Sequence, residues 1–144
     1  MIINIKKIEP AAFIPSSGSR FSAGYDLYAC LDSPVTIHPH QTQKVGTGLS
    51  IEIPEGYFGA IFARSGLASK SGIRPANCVG VCDSDYRGEY IVPLHNDTEE
   101  DYTIHHGDRI AQLIVMPYLQ VEFNEVTELT QTDRGKRGFG STGK

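Results

Sequence analysis

Leu49, Ile51 and Ile53 alternate with Ser50 and Glu52, which is the period of a strand with one buried face. Pro54-Glu55-Gly56 then turns the chain into the apolar residues 57–63, so this segment predicts a hairpin. Residues 77–82 and 90–92 flank the turn-rich run Asp83-Ser84-Asp85-Tyr86-Arg87-Gly88 and predict a second hairpin with a polar, aromatic tip. Further strands are expected at 2–8, 35–37, 102–104, 110–116 and 119–123, separated by Gly, Pro, Asp or His turns. Only residues 65–70 suit a short helix, following the turn Arg64-Ser65-Gly66. Many short strands at regular spacing point to an all-β barrel or sandwich. The strand at 90–92 runs into Pro93, which removes a ladder donor and suggests an edge, a bulge or a subunit contact.

Composition narrows this picture. The 144 residues fit one domain, and 15 glycines with 8 prolines argue against a helical bundle. No apolar run is long enough to span a bilayer, and residues 1–7 lack the pattern of a secretory leader, so a soluble, intracellular protein of cytoplasm or nucleus is expected. Cys30, Cys78 and Cys82 are odd in number and lack CxxC spacing, which signals neither a disulfide framework nor a zinc site; they read as small core residues.

The formal charge of −4 conceals an asymmetry: residues 134–144 carry four cations and no acid, whereas residues 1–133 carry nine cations and 17 acids. So acidic a body excludes a nucleic-acid backbone as partner. The chain divides into a β domain, 1–133, and a glycine-rich basic tail, 134–144, able to close over a small anion.

Arg64-Ser65-Gly66 combines a cation, a hydroxyl and unhindered backbone N–H groups, the donors a phosphate accepts; an ordinary helix cap is the plain alternative. Gly138 to Lys144 has P-loop spacing but no hydroxyl residue after the lysine to hold Mg²⁺. Asp83 and Asp85 are ordinary turn formers, or carboxylates able to take a proton from water or hold hydrated Mg²⁺. His105-His106 has no third metal ligand nearby, and Ser65 lacks the setting of a hydrolase nucleophile.

Five segments in order resemble the trimeric deoxyuridine triphosphatases (dUTPases): Ala23-Gly24-Tyr25-Asp26-Leu27, Arg64 to Ala68, Gly80 to Gly88, Gly107 to Gln112, and Arg134-Gly135 with Gly138 to Gly143. The resemblance implies a jelly-roll-like β fold, a homotrimer whose sites are shared between subunits, and Mg²⁺-dependent hydrolysis of dUTP to dUMP and pyrophosphate. That reaction keeps uracil out of DNA and supplies dUMP for dTMP synthesis. By position, Asp83 would be the general base, Tyr86 would pack under the deoxyribose, and Asn77 with the backbone around Gly80 would read the uracil. Arg64, Ser65, Gly66 and Gln112 would hold phosphates, and Asp26 would order the water shell of the metal. Arg134, Gly140, Ser141 and Thr142 would close on the γ-phosphate, with Phe139 stacked over the base. Asp108 and Arg109 would be supports. Ala63 and Arg137 depart from the family's usual proline and glycine. A dCTP deaminase and a catalytically idle, nucleotide-gated binding protein are the competing readings.

Overall fold

The computed structural model describes residues 1–138. Eleven strands and one helix follow in order: β1 (Asn4–Lys7), β2 (Tyr25–Tyr28), β3 (Val35–Ile37), β4 (Thr42–Gly46), β5 (Leu49–Glu52), β6 (Tyr57–Phe62), α1 (Ser65–Ser71), β7 (Ile73–Pro75), β8 (Gly80–Cys82), β9 (Ile91–Asn96), β10 (Tyr102–Ile104) and β11 (Arg109–Pro117). They form antiparallel sheets ordered β2-β11-β6-β8, β4-β9-β7, β1-β5 and β10-β3, bearing out the all-β expectation. No helix among the described residues is long and apolar enough to cross a membrane.

The core is built from alternate residues of these strands. Leu49 and Ile51 of β5, Val92 and Leu94 of β9, and Ile37, Ile73, Ile104 and Ile110 are all fully or almost fully buried, with Tyr90 among them. Thr47, whose hydroxyl donates to the Tyr90 carbonyl at 2.7 Å, is one polar exception, and Asn96 is the other. Its amide nitrogen donates to the carbonyls of Ile37 (2.9 Å) and Glu100 (2.7 Å), and its oxygen accepts from the backbone and hydroxyl of Thr98. Every group is satisfied, so a buried amide here organises a loop instead of destabilising the core.

Several expectations change. Neither predicted hairpin pairs with itself: β5 pairs with β1 while β6 pairs with β11 and β8, and β8 lies apart from β9, which pairs with β4 and β7. The Pro54-Glu55-Gly56 turn exists, with Gly56 at φ 81° and the Tyr57 amide donating to the Pro54 carbonyl, but it carries the chain between sheets. Strands β2, β4 and β7 were absent from the pattern because they are short or polar, as in Thr42-Gln43-Lys44; pairing, not alternation, makes them strands. Conversely, 119–123 alternates but forms no strand, since it has no ladder partner among the described residues; Leu119 is 88% and Phe123 96% exposed.

Pro93 sits in the middle strand of β4-β9-β7, not at an edge. Its carbonyl accepts from the Ala76 amide at 2.7 Å, so its own nitrogen faces the same side, toward Ala76 just past the last residue of β7, and the missing N–H costs a bond only at the end of that pairing. Cys30 and Cys82 are half-buried against the core, but Cys78 is exposed on a turn; all three are free thiols.

Candidate active site

β11 brings the first group of residues together. It lies between β2 and β6, with Gln112 opposite both Asp26 and Phe62, and β6 leads directly to Arg64 and α1. The result is a cleft of about 480 Å³ lined by Gly24, Asp26, Arg64, Ser65, Gly66, Arg109 and Gln112 among others. Arg64 Nε donates to Asp26 Oδ1 at 2.8 Å, and Arg109 donates to Asp26 Oδ2 at 3.3 Å. One carboxylate, 17% exposed, therefore aims two guanidiniums and leaves a net positive cleft.

Gln112 is fixed by donation from Nε2 to the Ala63 carbonyl at 2.8 Å, a bond that any residue at 63 could accept. Gly24 leaves room for it: a Cβ there would lie 2.5 Å from Gln112 Oε1. Arg64 is extended at the start of α1 and no side chain caps the helix, so the amides of its first residues are free to meet an anion. Gly66 adds no bulk; nothing lies within 4 Å of where its Cβ would be.

A second cleft, about 220 Å³, is lined by Ile61, Asn77, Gly80, Cys82, Asp83, Tyr86 and Tyr90 among others. Gly80 is buried against β6, where a Cβ would sit 3.1 Å from Ile61 Cβ and 3.2 Å from Asn77 Nδ2. Ahead of it Cys78 takes φ 61° and the Val79 amide donates to the Asn77 carbonyl at 2.6 Å, a strained γ-turn that sharply reverses the chain beside Asn77. Tyr86 is held by donating its hydroxyl to the Glu89 carbonyl at 2.9 Å, with its ring centroid 6.1 Å from that of Tyr90. The Tyr90 hydroxyl is buried with no hydrogen-bond partner among the described residues, and burial pushes its pKa well up. Asp83 and Asp85 are both exposed, but only Asp83 lines this cleft.

The two clefts share no lining residue. Arg134 reaches neither; its Nε donates to the Arg137 carbonyl at 3.0 Å within a local turn. Phe139, Gly140, Ser141 and Thr142 lie outside the described residues. The sequence motifs miss Tyr90, which floors the second cleft; Arg109, a support in the family resemblance, lines the first cleft and grips Asp26. No local pattern marks either, because both act through residues distant in the chain.

Among the described residues no three His, Cys, Asp or Glu side chains gather as a metal cage. A lone carboxylate beside an anion cleft does fit Mg²⁺ carried mainly on phosphate oxygens and water, the usual habit of that ion.

The dUTPase family model matches residues 11–143. A deoxyuridine 5'-triphosphate nucleotidohydrolase of Anaplasma marginale is 49% identical over 130 residues, covering 90% of this chain and 88% of its own. One from a Janthinobacterium species is 44% identical over 99% of this chain and 97% of its own. Among solved structures, a variant Staphylococcus bacteriophage 80alpha dUTPase with dUpNHpp superposes with a TM-score of 0.90 at 27% identity, covering 99% of this chain and 98% of that one. With a family model spanning nearly the whole sequence and relatives this similar end to end, the chain belongs to the dUTPase family.

Proposed function

We propose that this chain hydrolyses dUTP to dUMP and pyrophosphate by attack of water on the α-phosphorus, in a homotrimer whose sites each draw on more than one subunit. The observation that carries this reading is the pair of clefts: one is rich in anion donors, the other has an aromatic platform and a carboxylate, and they share no residue. A nucleoside triphosphate needs both kinds of contact, which a neighbouring subunit supplies.

In the second cleft Asn77 and the backbone at Gly80 read the uracil edge, while the Tyr86 ring packs under the deoxyribose and leaves no room for a 2′-hydroxyl. Asp83 takes the proton of the attacking water, a role worth about 10² to 10⁴ in rate. In the first cleft Arg64, Ser65, Gly66 and Gln112 hold the phosphate chain in line for attack. Asp26 keeps the Arg64 and Arg109 guanidiniums aimed, and it would order the water shell of Mg²⁺ carried on the triphosphate. When bound on the triphosphate, Mg²⁺ neutralises charge on the phosphate oxygens. The tail closes the site, with Arg134, Gly140, Ser141 and Thr142 on the γ-phosphate and Phe139 over the base. The two-cleft arrangement supports the shared-subunit geometry, while the metal and the tail contacts are expectations of family membership.

Pyrophosphate release from dUTP with Mg²⁺ tests the reading. Stoichiometric dUMP and pyrophosphate are expected. Ammonia released from dCTP would replace the reading with a deaminase, and nucleotide binding without turnover would leave an idle binding protein.

A further inference from the structure

The turn that carries Asp83 and Tyr86 is braced from the side facing away from the second cleft. Arg87 donates from one guanidinium nitrogen to the carbonyls of Ser84 (2.7 Å) and Tyr86 (3.0 Å), and from the other to Glu52 Oε1 at 3.3 Å. Glu52 ends β5 and accepts at Oε2 from Asn4 Nδ2 of β1 at 2.8 Å. The Ser50 hydroxyl, on the same strand, donates to the Arg87 carbonyl at 2.9 Å. A chain of bonds thus runs from β1 through β5 into the backbone of the turn, along the wall of a cleft of about 820 Å³ that Asp83 and Asp85 also line.

We infer that Glu52 is a positioning residue: tied to Asn4, it holds Arg87, and Arg87 fixes the backbone that presents Asp83 to the attacking water and Tyr86 to the sugar. The inference rests on the proposed dUTP hydrolysis and adds residues that touch no substrate. The bond to Asn4, then the charge of Arg87, hold the Glu52 carboxyl below the usual carboxylate range, so the brace is charged at neutral pH. Glu52 is 48% and Arg87 52% exposed, and exposed pairs contribute little to global stability. Their effect is to narrow the conformations of a six-residue turn that has few other fixed points.

The test compares wild type with Glu52→Ala, Glu52→Gln and Asn4→Ala by steady-state kinetics on dUTP and UTP, thermal melting, and amide hydrogen exchange of residues 83–88 without nucleotide. Glu52→Ala is expected to melt within about 2 °C of wild type, to lose about fivefold in kcat on dUTP, and to lose about tenfold in preference for dUTP over UTP. Exchange across the turn is expected to accelerate. Asn4→Ala, which touches only the far end of the brace, moves the same readouts less. Glu52→Gln keeps an acceptor for Arg87 and restores part of the selectivity. Unchanged exchange in Glu52→Ala overturns the inference whatever the protein's activity, because that readout needs no substrate. So does a loss shared equally by dUTP and UTP together with a lowered melting temperature, which is the mark of a structural residue. Wild type inactive on dUTP overturns the proposed function instead.

Discussion

Asp83 and Tyr90 lie in the same cleft with opposite relations to water. Asp83 is exposed on a turn, and under the proposed scheme it is the base for the attacking water. Asp83→Asn is isosteric, so it is expected to fold and bind dUTP as wild type does while losing at least about 100-fold in kcat, measured by pyrophosphate release. A variant keeping half its kcat would place the base elsewhere. Tyr90 is instead a fully buried ring whose hydroxyl occupies space left by Gly59, where a Cβ would lie 3.3 Å from it. Since no group among the described residues meets that hydroxyl in good hydrogen-bond geometry and only the Cys82 thiol, a weak partner, lies close, its desolvation is poorly compensated. Tyr90→Phe removes the oxygen without the ring and is expected to stabilise the protein by about 1 kcal/mol in urea denaturation. A loss of stability would show that the hydroxyl is satisfied.

The first cleft depends on how two strands meet. Gly24, just before β2, is tolerated only as glycine if Gln112 of β11 is to reach the Ala63 carbonyl. Gly24→Ala is expected to push the flexible Gln112 amide aside, with little loss of stability but about tenfold loss in kcat/KM for dUTP, the worth of one hydrogen bond to a charged group. Unchanged kinetics would remove Gln112 from the phosphate contacts. At the other end of α1, Gly72 at φ 64° hands the chain to β7, and the Asp97 amide donates to its carbonyl at 2.9 Å. Arg74 of β7 grips Asp97 with two bonds, 2.6 and 3.0 Å, and these bonds hold the Asp97 carboxyl below its ordinary value. A carboxyl depressed in the folded state contributes stability above its unfolded pKa, about 3.9, and loses it as pH falls through the folded value. The stability gap between wild type and Arg74→Gln is therefore expected at pH 7 and narrows steadily as pH falls below about 3.9 in urea titrations. A gap that persists in acid would mean that Arg74 acts by packing.

The assembly carries the largest consequence of the two-cleft arrangement. Asp83→Asn and a chain truncated after Asp133 each form inactive trimers under the proposed scheme. If Asp83 and the tail reach one site from different subunits, every mixed cyclic trimer holds one complete site. Random exchange at equal ratio makes about three-quarters of trimers mixed and recovers about a quarter of all sites. Mass spectrometry establishes exchange first. Exchange without regained activity would confine the tail to its own subunit and end the shared-site scheme.

Much of the local structure was legible in the sequence because it is a local property. Alternation located β5, apolar runs between turns located β6 and β11, the turn Arg64-Ser65-Gly66 marked the start of α1, and the residue types at 64–66 and 83–86 suggested the proposed anion and acid-base chemistry. Pairing was not legible. A period of two says which face of a strand is buried but not which strand lies beside it, so β5 and β6 read as a hairpin although their partners are β1 and β11. The same limit explains 119–123, an alternating segment with no ladder partner among the described residues, and Thr42-Gln43-Lys44, a polar segment made a strand by β9. The sequence by itself determined the strand-rich class and the helix start, and it nominated residues for the proposed chemistry, because these depend on side chains a few positions apart. Only the tertiary structure decided that Asp26 holds Arg64 and Arg109, that Gly24 makes room for Gln112, and that Glu52 braces Arg87, because contacts between residues 35 to 88 positions apart arise from sheet order, which no local pattern encodes.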